Sequence, residues 1–163
     1  MAAPTIEAVI EPLPPGFDHW RELLDLILDA FAYMDGRIDP PSSAHRLTPE
    51  SLKDKCAAET VFLARDGDRL VGCVFLDDRG DHIYVGKLAV APSLQGSGIG
   101  RRLMATAEGE ARQRGKRFME LQTRVELTGN HAAFARLGFR EVGRTAHAGY
   151  SRPTSITMRK DLA

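Results

Sequence analysis

The chain predicts an α/β (α+β) fold, carried by one domain over residues 1–163, and three features lead there. An apolar strand at residues 82–90 runs into a glycine-rich turn, a long helix and a further strand at residues 118–123. A strand, helix, strand unit of that length implies a parallel pair joined by a right-handed crossover. Residues 61–64 and 70–76 flank Asp66-Gly67-Asp68, a hairpin turn by composition. Trp20, Leu23, Leu24, Ile27, Leu28 and Phe31 recur at three- and four-residue spacing, as in an amphipathic helix whose apolar stripe is core.

Taken in order, residues 5–10 alternate weakly and predict a first strand, ended by Pro12, Pro14, Pro15 and Gly16. The helix over Trp20 to Phe31 gives way to a polar, proline-containing loop at residues 33–43. There Tyr33, Asp35, Arg37, Asp39 and Ser43 offer varied hydrogen-bonding groups. Thr48-Pro49-Glu50 is an N-cap followed by proline at the first helical position, so a second helix starts there. Asp77, Asp78 and Asp81 read as a solvated turn, and no bracketing ligands turn them into a metal site.

The helix after the glycine turn carries Ile99, Leu103, Ala107 and Ala111 at four-residue intervals, a stripe that buries against a sheet. Gly115 ends it, with Arg112, Arg114 and Lys116 suited to the negative end of its dipole. A short helix at residues 127–138 and closing strands at 139–144 and 154–158 complete the chain.

The chain has 163 residues, 43% hydrophobic and 27% charged, and its 22 basic residues balance 22 acidic ones. That balance argues against bulk nucleic-acid or acidic-membrane binding. Cys56 and Cys73 stand far apart in no metal-ligand spacing, which fits two buried free thiols in a reducing, cytoplasmic compartment. There is no secretion signal pattern and no apolar run of membrane-spanning length. Edge strands near the C-terminus could pair between chains, which leaves a homodimer open to the chain.

The glycine turn is the most informative stretch. Gly96, Gly98 and Gly100 allow backbone angles that let consecutive amides point into one space, and a helix start adds unpaired N–H groups. Arg101 and Arg102 occupy the first turn with no carboxylate, the wrong sign for a helix N-terminus unless a phosphate sits there. A P-loop needs Lys and then Ser or Thr after its last glycine, and the dinucleotide fingerprint needs a glycine where Arg101 stands. Both nucleotide motifs therefore fail.

What remains, Gln95-Gly96-Ser97-Gly98-Ile99-Gly100, resembles the acyl-CoA-binding signature of the GNAT N-acetyltransferase superfamily: Gln or Arg, two residues, Gly, one residue, Gly or Ala. Asn130 to Phe139 is similar to the segment of that family in which Asn precedes a small apolar helix, an aromatic and Leu-Gly-Phe. Together the matches span residues 87–139, and residues 156–160 look like the family's final strand.

The resemblance implies a mixed, splayed sheet of six to seven strands flanked by helices, with acetyl-CoA as cofactor. Backbone amides of Gln95, Gly96, Ser97, Gly98, Ile99, Gly100 and Arg101 would hold its pyrophosphate. The pantetheine arm would lie along Leu88, Ala89 and Val90, between that strand and the one around Leu121, and Asn130 would contact it. The position of Phe134 is often a tyrosine that protonates the departing thiolate, and phenylalanine has no proton to give. The implied reaction is acetyl transfer to a primary amine of a small molecule or peptide by direct attack, with no metal. A catalytically silent acyl-CoA-binding module is the alternative that Phe134 raises.

For the base, Glu120 and Tyr84 lie near the expected reaction centre in sequence, as do Glu126 and His131, against plainer readings as strand carboxylates, a packed aromatic and a surface histidine. Tyr150, with His147, could line the acceptor pocket and take part in the chemistry. Tyr33 and Arg37 are the further candidates for holding the acceptor.

Overall fold

A computed structural model describes residues 7–162. Its strands are β1 (Val9–Pro12), β2 (Thr60–Asp66), β3 (Arg69–Asp78), β4 (His82–Val90), β5 (Phe118–Arg124), β6 (Arg140–Thr145) and β7 (Ser155–Asp161). Its helices are α1 (Trp20–Phe31), α2 (Pro49–Ala58), α3 (Ile99–Gln113) and α4 (Thr128–Arg136). The expected strand at 5–10 lies partly outside the described residues, and β1 runs on through Pro12, where proline is tolerated because the strand is an edge. No helix among the described residues is long and apolar enough to cross a membrane.

One seven-stranded sheet has the order β1-β2-β3-β4-β5-β7-β6, antiparallel throughout except for β4 beside β5. The expectation of a mixed sheet with one parallel pair across the α3 crossover is met. The β4–β5 ladder covers only His82↔Phe118 to Val85↔Leu121. Beyond it β4 stays on β3 as far as Val90↔Gly72, while β5 stays on β7 as far as Arg124↔Ser155. The two central strands therefore part into a V, the splay that the resemblance implied.

A bulge starts that divergence. Phe75 faces Lys87 and Leu76 faces Val85, which leaves Gly86 as an extra residue in β4. Bulges bend a strand and raise its twist.

The core lies on both faces of β3, whose residues Leu70 to Leu76 are all buried. Gly72 faces α3, where a Cβ would come within 2.9 Å of Leu103 Cδ1, so the glycine lets the helix lie close on the sheet. Phe75 projects to the other face, beneath Lys55 of α2. Fully buried Leu103, Ile99, Phe75 and Ile27 each contribute roughly 1.5–3 kcal/mol of apolar burial. In α1, Leu23, Leu24, Leu26, Ile27 and Ala30 are buried, while Trp20, Leu28 and Phe31 pack at the core's edge. Cys56 and Cys73 are buried free thiols, each pushed up to about 12 chiefly by burial. Strand β6 ends the sheet with all six residues exposed.

Candidate active site

The V opens into a cleft of about 990 Å³ that runs from the end of α1 along β4 to the glycine turn and α4. Its β4 wall includes Leu88 and Val90, and its far end includes Gln95, Gly96, Gly98, Ile99, Gly100 and Arg101. Ala89 points the other way, into the core, and Ser97 turns its hydroxyl onto the Leu94 carbonyl.

At the glycine turn the backbone is set for an anion. Gly98 is the N-cap residue of α3 with φ +91°, makes no side-chain cap, and no acidic residue occupies the first turn. A Cβ added at Gly96 or Gly98 would meet open space, so positive φ rather than crowding requires glycine there. Not every amide in the turn is free, since Gln95 N–H donates to Pro92 and Ser97 N–H to Leu94. The N–H groups of Gly96, Gly98, Ile99, Gly100 and Arg101 have no recorded acceptor among the described residues. These are the donors that can hold a diphosphate.

The two arginines of that turn have different tasks. Arg101 lines the cleft. Arg102 donates to the Ala8 carbonyl at 2.7 Å and pins the start of β1, which corrects the reading of both as phosphate partners.

Opposite, the 33–43 loop is clamped across the cleft. Arg124 at the end of β5 donates to the carbonyls of Pro40 (2.7 Å) and Pro41 (3.2 Å). Asp39 N–H donates to Glu126, and the Tyr150 hydroxyl donates to Asp39 Oδ1 at 2.6 Å. Arg152 closes the set on the Asp39 carbonyl. Asn130, expected on the cofactor arm, donates to the Tyr33 hydroxyl at 3.0 Å, and both residues line the cleft. Phe134 lines it too, edge-on to Phe139 at 6.1 Å.

Several expected residues lie outside the cleft lining. Glu120 sits where β5 is still bonded on both sides, to β4 at Tyr84 and to β7 at Arg159, and its carboxylate accepts from Arg159 at 3.1 Å outside the cleft lining. Tyr150 is likewise outside, its proton committed to Asp39, which holds the phenol above its ordinary value. Arg37 is exposed beyond the lining, Glu126 holds the loop, and His131 is tied to the Arg124 carbonyl at 2.8 Å. Tyr84 does line the cleft, under the Arg79 guanidinium at 3.9 Å. Burial raises its hydroxyl above the usual tyrosine value, so it is a donor near neutrality and not a base.

Other residues join the site without having been singled out. Phe31 leaves the core stripe of α1 to line the cleft, and Lys87, Arg124, Arg136 and Ser42 line it as well. A lysine inside an otherwise apolar strand was the available signal for Lys87. His147 also lines the cleft, with Nδ1 against the Thr154 hydroxyl. Burial first, then the charge of Arg124, lower its imidazole below the ordinary value, so it is neutral near pH 7.

An open strand edge leading to an uncapped, glycine-lined helix start is the geometry that suits an extended carrier bearing phosphates. The chain belongs to the acetyltransferase (GNAT) family, whose model matches residues 20–139, and is an N-acetyltransferase by that membership. It is 32% identical over 143 residues to an IAA acetyltransferase of Azospirillum brasilense, covering 86% of this chain and 90% of that protein. An aminoglycoside N(6')-acetyltransferase type 1 of Stenotrophomonas maltophilia is 35% identical over 107 residues, 60% of this chain and 69% of that one. In fold, the chain is similar to a GNAT acetyltransferase of Elizabethkingia anophelis solved with acetyl-CoA bound, at a TM-score of 0.70 and 20% identity, covering 95% and 98% of the two chains.

Proposed function

We propose that this enzyme moves the acetyl group of acetyl-CoA to a primary amine of a small molecule or peptide by direct attack. The observation that carries the reading is the strand edge left open after Val85↔Leu121 and leading to the free amides of the glycine turn. Acetyl-CoA supplies the acetyl group activated as a thioester. The amides of Gly96, Gly98, Ile99, Gly100 and Arg101 would hold the diphosphate, and the Leu88 and Val90 main chain would hold the arm. N–H groups where β4 ends are suited to polarising a carbonyl oxygen, the logic of an oxyanion hole.

An attacking amine must lose a proton. Among the described residues no carboxylate lines the cleft, and His147 is the neutral imidazole that does. His147 is therefore the proton acceptor in this reading. Because its affinity for protons is lowered, the free base persists to a lower pH than an ordinary histidine would allow. His147→Gln should cost about a hundredfold in kcat and remove the acid limb of the pH profile; an unchanged profile would exclude this role.

The decisive measurement is acceptor-dependent release of free thiol from acetyl-CoA. Cofactor binding by calorimetry without thiol release across amines would favour the silent module that Phe134 suggests. The buried thiols suit a cytoplasmic setting, and the exposed β6 edge would allow a homodimer, which sedimentation velocity can test.

A further inference from the structure

The charge lining the cleft is one-sided. Among the described residues, Lys87, Arg101, Arg124 and Arg136 line it, together with His147, and no aspartate or glutamate does. A chain of zero net charge has not arranged this by composition. At the glycine turn and α4, Arg101 and Arg136 face the end where the phosphates of the carrier belong. The other two cations need a different partner.

Lys87 stands just past the Gly86 bulge, two residues beyond the last β4–β5 pair and three before the end of β4, about 10 Å from it along the strand. The pantetheine arm is uncharged there. The ammonium of Lys87 lies 6.0 Å from the centre of the Phe31 ring and, among the described residues, has no carboxylate within 4 Å. Burial and then the nearby Lys55 disfavour its charge, while Cys73 and Glu59, the latter already paired with Lys55, favour it. Arg124, at the other wall, is fixed by two proline carbonyls and, among the described residues, has no carboxylate within that limit either, although Glu126 and Asp39 lie near it. A half-buried cation without a partner is costly, and a bound anion removes the cost.

We infer that the acceptor amine carries a carboxylate, as an amino acid does, and that Lys87, backed by Arg124, binds that carboxylate while the amine is presented at the mouth of the V. The inference rests on the transferase reading and names the class of its acceptor. The same two cations disfavour a polycationic acceptor, since like charges in a partly desolvated site repel. Specificity follows from charge on the acceptor, not from the shape of its apolar part.

The test pairs amines that differ only in the carboxylate: phenylalanine with phenethylamine, leucine with isoamylamine, and β-alanine with ethylamine, with spermidine and kanamycin as polycations. Thiol release at saturating acetyl-CoA should give the acid at least about tenfold higher kcat/KM than its partner amine. In Lys87→Met that ratio should fall toward one through a higher KM for the acid, and Lys87→Arg should keep most of it. The wild-type ratios, corrected for the free-base fraction of each amine at the assay pH, decide the matter even if Lys87→Met does not fold.

Equal use of acid and amine, or a preference for spermidine or kanamycin, overturns the anion pocket and leaves the transferase reading standing. A Lys87→Met variant that slows acid and amine equally in kcat also overturns it, because that is the mark of a proton acceptor. No thiol from any acceptor, with acetyl-CoA still bound by calorimetry, brings down the transferase reading and this inference together.

Discussion

Two helix starts in this molecule solve the same problem in opposite ways. At α2, Thr48 and Ser51 form a reciprocal capping box, Pro49 removes one donor, and Glu50 offsets the dipole. At α3, Gly98 has no side chain to cap with, no acid occupies the first turn, and Gly98, Ile99, Gly100 and Arg101 line the cleft. The first start satisfies its donors from within the chain and serves stability. The second leaves its donors without acceptors among the described residues, as an anion site does. The far end of α3 shows that the omission is local, since Arg114 donates to Glu110, Asp78 and Thr60, and Lys116 donates to Asp78 and the Gly80 carbonyl.

The contrast can be broken by experiment, most forcefully at Gly98. Gly98→Val puts a β-branched residue at φ +91° in space that is otherwise open, and calorimetry should show acetyl-CoA affinity reduced about a hundredfold as the charge-assisted amide bonds are lost. A folded variant with native affinity would show that the turn is only a turn. Arg101→Ala should weaken binding about tenfold and reduce its salt dependence, leaving Arg136 and main-chain dipoles at the phosphate end.

Thr48→Ala sharpens the other side of the contrast. It should lower stability to denaturant by about 1 kcal/mol and leave acetyl-CoA affinity where it was. Arg102→Ala should behave like Thr48→Ala and unlike Arg101→Ala, losing about 0.5–1.5 kcal/mol of stability with the bond to Ala8.

The smallest effect concerns pH. Hydrogen bonding to Lys116, then to the Gly80 amide, holds the Asp78 carboxyl down from 3.8 to about 2. A depressed carboxylate stabilises the fold above its unfolded value and loses that contribution as pH falls through the folded one. The difference in Tm between the native protein and Asp78→Asn should therefore be constant above about pH 4 and vanish toward about pH 2. Melts that differ equally at all pH values would assign the effect to packing.

What could be read in the chain divides along the same line. The glycine turn, the Thr48 cap, the parallel pair across α3 and the Asn130 to Phe139 segment are written within short windows, where backbone requirements select particular residues. The acceptor side is made by distant partners: Asn130 meets Tyr33 across 97 positions, Tyr150 meets Asp39 across 111, and Arg124 reaches Pro40 across 84. No local pattern encodes such meetings, so Tyr150 and Glu120 looked available when they are engaged elsewhere. Arg102 misled for the same reason, because its acceptor lies 94 residues away. Lys87 was visible as a charge in an apolar strand, but its meaning depended on the loss of pairing beside it.

The whole binding slot traces back to a single surplus residue. Were Gly86 deleted, Val85 and Lys87 would still face Leu76 and Phe75, and β4 could run straight and zip onto β5 beyond Leu121. The native protein instead keeps an unfinished seam at its centre.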